Sequence, residues 1–138
     1  MDARSWAGRR EDAIPDFEDE HRRWKKLLAE LTFAMRLRRG HKVVGKTLEA
    51  LSEYSRHHFQ EEESFLADID YPYLEEQIRQ HEFFSNWVEQ AKAELGGPDQ
   101  HSLAIDVLEM MKVWLSTHIQ VIDGKYVDFI LERAGKAN

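Results

Sequence analysis

Cysteine is absent from the chain. Disulfides, thiolate-held zinc and iron–sulfur clusters are therefore excluded, and any metal has to be held by histidine and carboxylate. No run of about 18 apolar residues occurs, and the opening MDARSWAGRRED has no apolar stretch, so neither a membrane span nor a secretory leader is expected and the cytoplasm is the default location. Positive charge is in deficit, with 19 Lys and Arg against 26 Asp and Glu and a formal charge of −7, which argues against nucleic acid or an anionic membrane as partner. Proline is scarce, three in 138 residues, so breaks in the pattern are few. That length suits one domain with a single sizeable core.

What is present is helical periodicity. Pro15-Asp16 reads as an arm ending at a helix start, with Trp6 anchoring the arm. Phe17, His21, Trp24, Leu28, Leu31 and Met35 then recur in steps of four and three, one buried seam of a helix, and Gly40 is expected to end it. A second seam runs Val44, Leu48, Leu51, Ser55, His58, Glu62, Phe65 and stops before Asp68. Pro72 suits the first turn of a third helix, with Leu74, Gln77, His81, Phe84, Val88, Ala91 and Leu95 on its seam before Gly96-Gly97-Pro98. Asp99 or Ser102 can cap a fourth, carrying Ala104, Val107, Met111, Trp114, His118 and Val121. Gly124 is expected to interrupt it, with Tyr126 to Leu131 forming a short C-terminal helix. The expected fold is all-α: an antiparallel up-down-up-down four-helix bundle over 16–123, with an N-terminal arm at 1–15 and a tail at 124–138.

The chemistry lies in the polar residues that interrupt these seams. His58 and Glu62 are four residues apart, as are Gln77 and His81, so on two helices each pair shares one face about 6 Å apart along the axis. His21 and His118 fall on the other two seams. One histidine on an apolar face is ordinarily a satisfied core residue. Six such positions that antiparallel packing brings to one level are different, because burying them unpaired costs several kcal/mol per ion and metal coordination offsets that. Imidazole and carboxylate suit iron, and the size of the cluster suggests two ions bridged by carboxylates rather than a four-ligand zinc site. Asp123, about 140° around an ideal helix from His118, reaches the site only from the next turn or a locally widened helix, which suits a bridge. His41 and His101, in the expected loops between helices, and His57, turned about 100° from His58, are expected to be solvated, and Glu61 and Glu63 to form a solvated face. Paired Glu-x-x-His motifs of the ferritin-like kind are not found, since only Glu18 to His21 fits, and no serine sits in a nucleophile elbow.

EDEH ending at His21, Y-S-R-H-H-F-Q-E-E-E with HFxxEE at 58–63, Tyr71-Pro72, His81 and W-L-S-T-H-I-Q-V-I-D at 114–123 together resemble the hemerythrin family, most closely its bacterial members, from Trp6 to Leu131. The resemblance implies a non-haem di-iron centre, oxo- or hydroxo-bridged, that binds O2 reversibly. Carried over by position, His21 and His58 would ligate the iron with the open O2 site, His81 and His118 the other iron, and Glu62 and Asp123 would bridge them. Gln77 departs from the pattern, standing where the family has a third histidine for the second iron, and offers at most a weak neutral amide oxygen. Ile119, Phe59, Leu28 and Trp24 are candidates for an apolar O2 pocket, each equally explained as core. Three functions are weighed: O2 transport, storage or sensing without enzyme turnover; a di-iron oxidase or peroxidase, made more plausible by Gln77; and a sensing input domain of a larger signalling protein.

Overall fold

The computed structural model of the protein describes residues 17–137, except the side chains at 17, 18, 20, 120–123, 134, 136 and 137. The expected Trp6 arm, the helix start at Pro15-Asp16 and the side chains of Phe17, Val121 and Asp123 thus lie outside the described residues.

Helix α1 spans Phe17–Arg36, α2 Gly40–Asp68, α3 Leu74–Ala93 and α4 Gln100–Trp114. The fourth continues without a break through a π-helical segment, Leu115–Ile122, into α5, Asp123–Ala137. Helix α2 packs against α1, α3 and α4, and α1 against α4, which makes the bundle. The seams read from the sequence are the buried faces, except that Leu95 at the end of the third is exposed. Trp24, Leu31, Val44, Leu48, Leu51, Phe84, Val88, Val107 and Met111 form one apolar cluster, while Leu28 and Met35 at its margin are half-buried. At about 25 cal/mol per Å² of apolar surface removed from water, this stripe is what holds four amphipathic helices together.

Three boundaries differ from expectation, and in one of them Pro72 lies in the turn ahead of α3, which starts at Leu74, rather than in its first turn. Gly40 does not end α1 but opens α2, and the left-handed residue of the turn is Arg38, at φ 58°. Gly40 serves close approach instead: a Cβ there would collide with Met35 Sδ and force that side chain to shift. Gly124 does not interrupt the last helix, and the C-terminal helix is longer than 126–131. Ser116 Oγ and Thr117 Oγ1 both donate to the Val113 carbonyl, at 3.2 and 2.7 Å. Such side-chain bonds compete with the ordinary ladder just where the helix widens. In a π segment, backbone bonds close from i to i+5, so positions five apart come nearer to one face than the about 140° an α-helix gives them. Asp99 rather than Ser102 caps α4, accepting from the Ser102 amide at 2.9 Å.

A second apolar cluster, Phe65, Leu66, Ile69, Tyr71, Tyr126 and Ile130, closes the far end of the bundle, where α5 lies over the α2–α3 turn. The Arg133 guanidinium donates to the Ile69 carbonyl there. Between the two clusters lies the stretch of α2 that carries His58 and Glu62.

Candidate metal centre

The six polar seam positions on the four helices, His21, His58, Glu62, Gln77, His81 and His118, are all buried. Glu62 is fully buried, and its two carboxylate oxygens point at different histidines. Oε2 lies 3.3 Å from His58 Nε2, one turn back on the same helix, and Oε1 lies 3.0 Å from His81 Nε2 and 4.0 Å from His118 Nε2. Neither oxygen accepts a conventional hydrogen bond. Donor atoms of Glu62, His81 and His118 converge within 4.8 Å, the arrangement a cation needs. On the opposite side, the His21 ring stands edge-on to His58 with centroids 5.6 Å apart.

The hydrogen bonds behind the imidazoles fix which nitrogens face inward. His81 Nδ1 is 2.6 Å from Glu63 Oε2, and His118 Nδ1 is 2.8 Å from Gln80 Oε1. Both oxygens can only accept, so both Nδ1 atoms carry a proton, and in the neutral imidazoles both Nε2 atoms present lone pairs inward. Those two Nε2 atoms are only 3.2 Å apart, with the Glu62 carboxylate beside them. Three electron-pair donors crowded in a water-poor interior repel one another, and an ionised carboxylate there without donors costs several kcal/mol. A cation among them reverses the sign of each contact. The residues present therefore fit a metal ion.

Each of three histidine rings lies against an aromatic neighbour. Phe59 stacks on His81 at 3.9 Å and 1°, Trp114 on His118 at 4.0 Å and 13°, and Tyr54 on His58 at 4.8 Å and 25°. Flat contacts of this kind leave the imidazoles little rotational freedom, which pre-organises them. Phe84 ties the system together, at 5.3 Å from Trp24 and 4.5 Å from Trp114.

Glu63 corrects the sequence reading. It was expected on a solvated face, yet it reaches across to α3 and holds His81, with 29% of its side chain exposed. Gln80, not singled out in the sequence, does the same for His118. The signal that points to both is chemical: a ligating imidazole needs an acceptor on its outer nitrogen, and long polar side chains flanking the seams supply it. Gln77 is buried on the seam as expected, one turn before His81. His41, His57 and His101 are exposed, as expected, although His41 and His101 lie in the first turns of α2 and α4 rather than in loops. Of the apolar-pocket candidates, Trp24, Phe59 and Ile119 are buried and Leu28 is half-buried. Phe59 touches the cluster directly, while the Trp24 indole donates to the Met111 carbonyl at 3.3 Å. The Asp123 side chain is outside the described residues.

A polar cleft of about 150 Å³ lined by Arg23, Glu53, Tyr54, His57 and His58 opens beside the His58 edge of the cluster. No helix among the described residues is long and apolar enough to cross a membrane.

Comparison with known proteins agrees with this geometry. Over 78 residues the chain is 33% identical to a protein named bacteriohemerythrin from Clostridium acetobutylicum, a match covering 56% of this chain and 60% of that relative. A sequence model described as the hemerythrin HHE cation binding domain matches residues 12–130, nearly the whole chain. With its buried histidine and glutamate cluster, the chain belongs to the hemerythrin family.

Proposed function

We propose that this domain holds two non-haem iron ions and uses them to bind O2 reversibly, for transport, storage or sensing. The observation that carries the reading is Glu62: a fully buried carboxylate whose two oxygens address histidines from different helices, which is what a bridging ligand does. His21 and His58 would serve one ion, His81 and His118 the other, with Asp123 as a second bridge. Held there, two ferrous ions would supply the electrons for taking up O2 and would regain them on its release. The protein's part is to keep the imidazoles oriented through Glu63, Gln80 and the aromatic plates, and to keep water out with Phe59, Trp114 and Ile119. O2 admitted anaerobically to the reduced protein gives a new visible absorption that disappears when the gas is removed. Irreversible oxidation on first exposure would refute reversible binding.

One observation favours a second reading, turnover of O2 or peroxide. Gln77 leaves the His81 side without a third imidazole, and a weaker donor set changes the redox balance of the ion it holds. Steady peroxide consumption with an added reductant would support it, and a long-lived O2 adduct would count against it.

A further inference from the structure

The net charge of −7 conceals a strong segregation. From 31 to 48, LTFAMRLRRGHKVVGKTL, there is no Asp or Glu, while Arg36, Arg38, Arg39, Lys42 and Lys46 all fall there. Taking these five from the 19 cations leaves 14 against 26 acidic residues, a formal −12 for the remainder. All five are exposed, and among the described residues none has a carboxylate partner. Lys92 and Lys112, by contrast, each lie near a glutamate, at 3.5 and 3.7 Å. The five occupy one end of the bundle: the last turn of α1, the turn in which Arg38 is left-handed, and the first two turns of α2. Phe33 in α1 and Leu37, one residue beyond it, are 64% and 51% exposed at that same end, and the Leu37 amide donates to the Phe33 carbonyl at 3.1 Å.

We propose that this end of the bundle docks on an anionic phospholipid surface, with the cations meeting headgroup phosphates and Phe33 and Leu37 entering the interfacial layer. Clustered Lys and Arg are drawn to anionic leaflets, and adjoining aromatic and aliphatic side chains add apolar burial that a purely electrostatic contact lacks. The −12 remainder repels the same surface and favours an approach from the α1–α2 side of this end, since exposed Glu94 and Asp99 in the α3–α4 connection lie at the same end. It also disfavours nucleic acid, whose length would run past the tip along the acidic flanks, and which offers no apolar layer to Phe33 and Leu37. On α2 the patch residues Lys42 and Lys46 lie 16 and 12 residues before His58, or about 24 and 18 Å along the axis. A surface bound there leaves the buried cluster and the cleft beside His58 facing solution. The proposal does not depend on the metal reading.

Cosedimentation of the full chain with vesicles tests it, comparing phosphatidylcholine alone with phosphatidylcholine containing phosphatidylglycerol. Binding is expected only to the anionic vesicles and weakens as salt rises. The pair Arg38→Glu with Arg39→Glu lowers partitioning at least about tenfold. Phe33→Ser with Leu37→Ser lowers it while leaving the salt dependence in place. Lys112→Glu with Lys125→Glu, exposed but outside the patch, leaves binding unchanged, and far-ultraviolet circular dichroism checks that each variant is folded. The proposal is overturned by absence of binding at low salt, by equal binding to neutral vesicles, or by indifference to the Arg38 and Arg39 reversal. Displacement by inorganic phosphate alone, or tighter binding to duplex DNA than to the vesicles, would overturn it in favour of those ligands.

Discussion

Removing the carboxylate behind His81 should weaken metal binding in a graded and context-dependent way. Glu63 Oε2 lies 2.6 Å from His81 Nδ1, a charge-assisted contact, whereas His118 receives only the neutral Gln80 oxygen at 2.8 Å. A carboxylate behind a ligating imidazole raises its basicity and fixes its ring, and losing such a partner costs about 10–100-fold in metal affinity. Since 29% of the Glu63 side chain meets solvent, screening places the effect near the lower bound, about tenfold or 1.4 kcal/mol. Glu63→Ala should therefore cost about tenfold in iron(II) affinity. Glu63→Gln, which keeps an acceptor without the charge, should cost less, and Gln80→Ala no more than that. The penalty should shrink in a Gln77→His background, because a stronger third donor lessens the dependence on His81. Competitive anaerobic titration against a chelator measures all of these. Affinity within twofold of the parent for Glu63→Ala, or a larger loss for Gln80→Ala, would refute the reasoning.

Other outcomes follow from the same geometry. Glu62→Ala removes the carboxylate shared by both sides and should abolish iron retention after desalting, whereas Gln77→Ala should leave most of it; equal retention would remove Glu62 from its bridging place. Gln77→His should lengthen the lifetime of the O2-bound protein in stopped-flow mixing, at a packing cost of no more than about 1.5 kcal/mol. Oxidation as fast as in the parent would show that position 77 is not a ligand position. Phe84→Ala, which empties a fully buried site between Trp24 and Trp114, should destabilise the apoprotein by about 3–5 kcal/mol in denaturant unfolding, and a loss under 1 kcal/mol would mean the aromatic layer is not packed as described.

The bundle was legible because the steps of three and four were uninterrupted over four segments, and polar residues on those same seams exposed the site. Helical spacing alone put His21, His58, Glu62, His81 and His118 on inward faces, where the structure buries them. Gly40 misled because glycine has two uses: the turn took its left-handed residue from Arg38, and Gly40 served close contact with Met35. Gly124 misled because one glycine in a helix costs only about 1 kcal/mol, which packing of α5 over the bundle end outweighs. Glu63 was hidden by its angle. A residue about 100° off the seam faces solvent in an isolated helix, and only the neighbouring α3 turns that flank into a partner for His81. The basic tip was masked by averaging, since a net charge says nothing about where the charges lie.

The central claim, that the buried cluster is a two-iron centre, is tested most directly by counting the iron. Anaerobic reconstitution with iron(II), removal of unbound metal and elemental analysis should give two ions per chain, falling sharply in Glu62→Ala. One ion per chain, or none, in a folded parent protein would contradict the account.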